Sequence, residues 1–269
     1  SGTVDRTTDT IVENGGVEDI IGGIASGTVV ESGGTEDVES GGVVDGTRVL
    51  AGGKIILAGS GANDLTFSAG AQAIIESGGV LTLSSGFTAP EVIVSAGGEV
   101  VFDGGNVETL IMNRGASEGV VAGHNLTGAS VARGVTLIVS GAATATGAVV
   151  SYGGTEIVQS YGNAIDTHVL SGGEIVLEGG SVSGVSLSSG GTIDFTAFAK
   201  NSSTKLTFVE NGAHSQGTLT ITDGALHSSV ILFGQYAANG FHIGAFGADG
   251  TSITYAPEVT SGVELAGEH

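Results

Sequence analysis

The chain is 269 residues long, with 50 glycines, two prolines, no tryptophan and no cysteine. Its formal charge is −21, set by 28 carboxylates against seven cations, so its field repels nucleic acid and anionic membrane, and no run of 18 apolar residues offers a membrane-spanning helix. Without cysteine there is no disulfide framework, and 40% apolar content argues against disorder.

From the N-terminus the chain is organised by a tandem repeat. Thr28-Val-Val-Glu-Ser-Gly-Gly-Thr-Glu-Asp-Val38 returns as Ala148-Val-Val-Ser-Tyr-Gly-Gly-Thr-Glu-Ile-Val158. Anchor glycines recur at Gly15, Gly33, Gly52, Gly70, Gly97, Gly115, Gly134, Gly153, Gly172, Gly190 and Gly212, mostly 18 or 19 residues apart. Three residues before each anchor the residue is apolar, from Val12 and Val30 to Val209; five after it the same holds, from Ile20 to Phe195. Two short β-branched runs around a glycine turn read as strands that each point a side chain into a shared core. Glycine suits the turn because it reaches positive φ without steric penalty. Thr10, Thr28, Thr47, Thr167 and Thr207 recur five residues before an anchor and read as a stacked hydroxyl ladder. Strands that stack on their own copies must be parallel, so the expected fold is all-β: a parallel β-helix, right-handed by the general crossover preference. Eleven rungs at about 4.8 Å make a rod about 50 Å long.

Residues 1–196 are assigned to these repeats, with an insert near 77–91 where the step from Gly70 to Gly97 lengthens to 27 residues. The insert reads as a bulged turn or partial extra rung, or as a protruding contact loop with Phe87 at its tip. Residues 197–256 read as a C-terminal β cap, because phenylalanines concentrate there and Asp223-Gly224 marks a hairpin. Pro257 onward, 257–269, is a tail. The chain opens at Ser1 with no signal peptide, as in a processed fragment or trimmed segment.

The Thr-x-Val-x-x-Gly-Gly-x-x-x-Val rhythm, with a second glycine turn such as Glu39-Ser-Gly-Gly-Val-Val-Asp-Gly46, resembles the passenger repeats of AIDA-type self-associating autotransporter adhesins over residues 8–195. Ile231-Leu-Phe-Gly-Gln-Tyr-Ala-Ala-Asn-Gly-Phe241 looks like the element that closes such arrays. The resemblance implies a secreted, cell-surface bacterial β-helix that acts in autoaggregation, biofilm formation or adhesion, sometimes carrying O-linked sugar. Ser32, Ser151, Ser171 and Ser189, beside the glycine turns, are then candidate glycan acceptors. The chain departs from the family in its acidity and in lacking a translocator barrel.

Candidate binding chemistry is sparse. Ten carboxylates fall in residues 1–46, and the repeat register stacks Glu13 on Glu31, Glu18 on Glu36 and Asp19 on Asp37. Such a ladder is a solvated acidic face, a self-association surface or a weak Ca²⁺ site. Arg114, Arg133 and Tyr152 share the column just before an anchor glycine, either as turn decoration or as a patch for a carboxylate or a sugar ring. Gly59-Ser-Gly-Ala-Asn-Asp-Leu-Thr-Phe67 has the wrong glycine spacing for a calcium nonapeptide, and His214, His227 and His242 lack zinc-ligand spacing. No motif separates a general acid from a base, and no nucleophile elbow or phosphate loop occurs. The expectation is therefore a non-enzymatic module without a cofactor, whose partner is a second copy of itself or a host or bacterial surface glycan. The alternatives are a carbohydrate-binding or polysaccharide-processing β-helix, and a passive spacer.

Overall fold

A computed structural model describes residues 6–257. The chain coils with three short strands per turn, such as Ile24–Ser26, Val29–Val30 and Thr35–Val38. Each strand hydrogen-bonds to its counterpart one turn later. The longest sheet has 13 strands; all pair in parallel up to Thr192–Phe195, and the last two are antiparallel. The architecture is a parallel β-helix of about ten turns.

Alternation decides what is inside. In Thr35–Val38, Glu36 and Val38 are buried while Thr35 and Asp37 are partly exposed. The apolar columns form the core: Val12, Val30 and Val49 stack in one, and Val120, Val139 and Val158 in another. Removing each such side chain from water contributes about 1.5–3 kcal/mol.

The anchor glycines are joined through the backbone. The N–H of Gly33 donates to the Gly52 carbonyl at 2.8 Å, and that of Gly52 to Gly70 at 2.9 Å. This ladder does not continue to Gly97. Gly97 instead accepts from Gly78, and the second ladder runs Gly78, Gly97, Gly115, Gly134, Gly153, Gly172, Gly190. Gly78 itself lies over Gly59, so it belongs to a different corner of the coil from Gly70.

The insert near 77–91 is the cause. Val80–Ser84 adds one wall, a fraction of a turn, stacked between Gly61–Asn63 and Glu99–Asp103. Phe87 is no protruding tip: it is half-buried, edge-on to Phe67 at 5.7 Å between centroids. After the insert the four-residue strand that follows each anchor lies in the long sheet. Before it, that strand (Val17–Ile20, Thr35–Val38, Lys54–Leu57, Gln72–Ile75) lies in a separate six-stranded sheet. The repeat keeps its grammar and shifts by one wall.

Beyond Phe195 the pairing changes sense. Gly250–Tyr255 runs antiparallel to Thr192–Phe195, and Phe241–Phe246 antiparallel to it in turn. Lys205–Glu210, Gln216–Asp223 and Leu226–Phe233 form a meander whose last strand docks on Ser181–Leu187. Gly212 is therefore a turn of this meander and no rung anchor, and Val209 is exposed (67%). Phe208, Tyr236, Phe241 and Tyr255 pack together over this end. The Tyr236 hydroxyl accepts from the Leu187 N–H at 2.7 Å and donates to the Phe233 carbonyl at 3.1 Å. Closing the last rung in this way covers apolar surface and unpaired strand edge.

Two glycine classes carry different constraints. A Cβ at Gly154 would overlap the Val131 carbonyl oxygen, whereas at Gly147 (φ +67°) it meets nothing within 4 Å. The next rung places Asp166 at the Gly147 corner with φ 55°. Gly154→Ala is expected to cost about 3 kcal/mol by overpacking and Gly147→Ala about 1–2 kcal/mol through left-handed backbone, with Gly147→Asp milder still. Urea denaturation of the three variants checks this order.

Candidate binding surfaces and buried carboxylates

The acidic ladder is divided by strand alternation. Register pairs Glu18 with Glu36 and Asp19 with Asp37, but the two pairs point opposite ways. Glu36 is completely buried, and Glu18 accepts from the Thr7 hydroxyl at 3.0 Å and from the inward Thr28 at 3.1 Å. They do not belong to a solvated face. Asp19 and Asp37 remain outside, and Asp37 is pushed up by partial burial and by Asp19, against the opposing pull of Lys54. Glu13 and Glu31, both exposed, line a corner instead. Each outward acidic column is only two carboxylates deep, since Leu50 and Ile56 follow in the next rung. Among the described residues no three His, Cys, Asp or Glu side chains converge on a common point.

Of the recurrent threonines Thr10, Thr28 and Thr47 stack on successive rungs, and the inward hydroxyls donate to the inward glutamates. Thr47 donates to Glu36 at 3.2 Å and Thr167 to Glu156 at 3.0 Å, each eleven residues further on and each fully buried. Thr207 belongs to the cap meander and is exposed. One oxygen of Glu36 and one of Glu156 finds no hydrogen-bond partner. Burial pushes both carboxyl groups up to about 7, opposed by the threonine hydroxyl. Glu118, in the same inward column, is also raised to about 7 by burial. Asp194 is raised by burial and by Glu174 nearby. The signal for the glutamates was in the sequence: Ile20 and Val38 point inward, so the residues two before them must do so too; Asp194, one before the inward Phe195, is buried because the cap strand pairs over it.

Arg114, Arg133 and Tyr152 do come together. Each lies across the anchor glycine of the next rung: Arg114 over Gly134, Arg133 over Gly153 and Tyr152 over Gly172. The Arg133 guanidinium carbon sits 5.8 Å from the centre of the Tyr152 ring, within cation–π range. Tyr152 keeps 66% of its surface exposed. Among the candidate acceptors Ser171 and Ser189 are exposed in this same column, Ser32 is exposed on the other corner, over Gly52, and Ser151 is half-buried. Of the cap histidines, His214 meets Glu210, and His242 meets the Ala256 carbonyl at 3.0 Å.

No protein-family model and no curated protein matches the sequence. Among solved structures the chain is similar to the TibC-catalysed hyper-glycosylated fragment of TibA covering its residues 55–350, at 28% identity, over 69% of this chain and 73% of that one, with a TM-score of 0.42. No helix of the described residues is long and apolar enough to cross a membrane.

The buried carboxylates set a pH dependence. Their folded-state values near 7 lie above the ordinary 4.5, so the native state holds protons that the unfolded chain releases. Stability is then full below about pH 4.5 and falls as pH rises to about 7, by up to roughly 3 kcal/mol per group. Thermal unfolding from pH 4.5 to 8 in 1 M NaCl, which screens the surface charge, should show this fall. The triple variant Glu36→Gln, Glu118→Gln, Glu156→Gln should reduce it, leaving the part due to Asp194; an unchanged slope would contradict the burial argument.

Proposed function

We propose that the chain is an extracellular interaction module of a bacterial surface or secreted protein, acting in self-association or adhesion through the walls and corners of the β-helix. The observation that carries this reading is repetition. A long sheet of stacked parallel strands offers equivalent positions at every rung, and the Gly97–Gly190 corner carries the Arg114–Arg133–Tyr152 column in unbroken succession. A partner with a repeating surface can engage several rungs at once, and linked weak contacts multiply through effective concentration. The resemblance of the repeats to autotransporter adhesin passengers supports the same reading, and places Ser32, Ser171 and Ser189 as exposed acceptor positions for glycan.

A second reading, glycan binding without self-association, is supported by the Arg133–Tyr152 stack, since a largely exposed tyrosine beside a guanidinium suits a sugar ring and its hydroxyls. A polysaccharide-processing enzyme receives less support, because the glutamates raised to about 7, Glu36, Glu118 and Glu156, project inward from their walls and do not face one another across a groove.

Sedimentation velocity across protein concentration, at two salt levels and with or without Ca²⁺, tests self-association. Concentration-dependent dimers or larger species are expected. Reversing Glu13, Glu31, Asp19 and Asp37 to lysine should alter the association or its salt dependence by severalfold. A strict monomer throughout would move glycan binding forward, read by a glycan array with Tyr152→Ala as the control that loses signal.

A further inference from the structure

The shift of the repeat by one wall leaves a break in the coil. Asn106–Met112 is a straight seven-residue strand that pairs with Thr88–Val94 on one side. On its other side the next rung is bent at Gly128 (φ +71°) into Asn125–Thr127 and Ser130–Val131. Those two strands pair onward with Thr144–Thr146 and Val149–Val150 and not back to Asn106–Met112. A straight strand cannot keep hydrogen-bond register with a bent one, so the walls part. Between them opens a cleft of about 450 Å³, lined by Phe102, Val107, Leu110, Met112, Leu126 and Ala129, with Glu118 reaching in.

Glu118 differs from its counterparts. Glu18, Glu36 and Glu156 each accept from an inward threonine ten or eleven residues further on. Eleven residues after Glu118 stands Ala129, and no side-chain hydrogen bond among the described residues reaches its carboxylate. Yet the residue is only 4% exposed. It is the sole ionisable residue lining the cleft. Glu99 and Asp103 on the preceding strand alternate outward, Asp103 meeting His124 at 3.3 Å. Glu108 is exposed, and the following strand Thr136–Val139 carries no charge.

We propose that this cleft binds a small amphiphilic amine, its aliphatic body against Leu110, Met112 and Leu126 and its ammonium on the Glu118 carboxylate. The Glu118 oxygens open only onto the cleft; a carboxylate stripped of most of its water and given no donor by the protein is costly, and a cation that brings its own N–H groups reduces that cost. The volume is that of a small-molecule site. The overall charge of −21 raises the local concentration of cations. An anionic ligand would meet Glu118 with no compensating cation in the lining.

Isothermal titration of the full chain in 0.15 M NaCl with hexylammonium, hexanol and hexanoate tests this. At pH 8 hexylammonium should bind with 1:1 stoichiometry and about tenfold tighter than hexanol, with hexanoate weakest. At pH 5.5, where Glu118 holds a proton, the preference should shrink. Glu118→Gln should abolish the preference for the ammonium while hexanol still binds. Ala129→Thr, which supplies the missing hydroxyl, should weaken hexylammonium severalfold in a chain whose circular dichroism is unchanged. Hexylammonium bound no better than hexanoate, or bound equally by wild type and both variants, would overturn the proposal.

Discussion

Every feature of this molecule follows from hydrogen bonds that hold one turn on the next at the spacing of a parallel sheet, about 4.8 Å. At that spacing each side chain rests on its equivalent one repeat away, and its neighbour is almost a copy of itself. Valine on valine is favourable inside, where Val30 meets Val12 and Val49. Carboxylate on carboxylate is unfavourable, and the chain limits it to pairs: Glu13 with Glu31 and Asp19 with Asp37 end where Leu50 and Ile56 begin. At the corners the rule becomes a demand for glycine, because the side chain just before one anchor lies across the next. Ser32 occupies the space that a Cβ at Gly52 would need, as Ser171 does at Gly190.

The period, the parallel stacking and the inward apolar columns were legible because each is a local pattern repeated many times. What sequence reading missed is cumulative. The long step from Gly70 to Gly97 marks an insert, and the partial extra rung is there in Val80–Ser84, but the step does not say that the extra residues move every later strand by one wall. Only the pairing of Val80–Ser84 with Glu99–Asp103 reveals it. At the far end Val209 and Gly212 keep the three-residue offset of a rung by coincidence, in a meander whose antiparallel partners are set by the Asp223-Gly224 turn. The orientation of Glu18 and Glu36 was legible in principle. An excess of charge early in the chain suggested a surface, and strand alternation, the stronger constraint, placed these two inside.

The inward glutamates show how local consistency is built. Where the column holds Glu36 or Glu156, the facing position holds Thr47 or Thr167; where it holds Leu137, the facing residue is Ala148. Polar meets polar and large meets small within one rung, so each inward glutamate finds its one hydroxyl donor without help from its neighbours. Glu118 facing Ala129 is the exception, and it falls where the walls part. The mismatch in chemistry and the mismatch in register coincide, and a carboxylate that would destabilise a closed rung lines a cleft instead.

The one-wall shift also rearranges the surface. Residues just before an anchor form one column in sequence, from Asn14 and Ser32 through Arg114, Arg133 and Tyr152 to Ser189. In space they form two, because Gly15–Gly70 and Gly78–Gly190 are separate ladders on different corners. The exposed acidic pair Glu13–Glu31 flanks the first corner and the Arg133–Tyr152 stack occupies the second. The second corner continues toward the N-terminus through Gly59 and Gly41, where Glu39 and Glu76 are exposed, so a partner lying along that edge meets acidic residues and then the basic–aromatic column. Acidic and basic stretches of this edge face one another only in copies offset along the rod. A symmetric side-by-side pair that superposes equivalent rungs would instead set Glu13 and Glu31 against their own copies. Like charges thus oppose in-register pairing of two copies, and the insertion, which carries Gly78, is what brings the later anchors onto this corner.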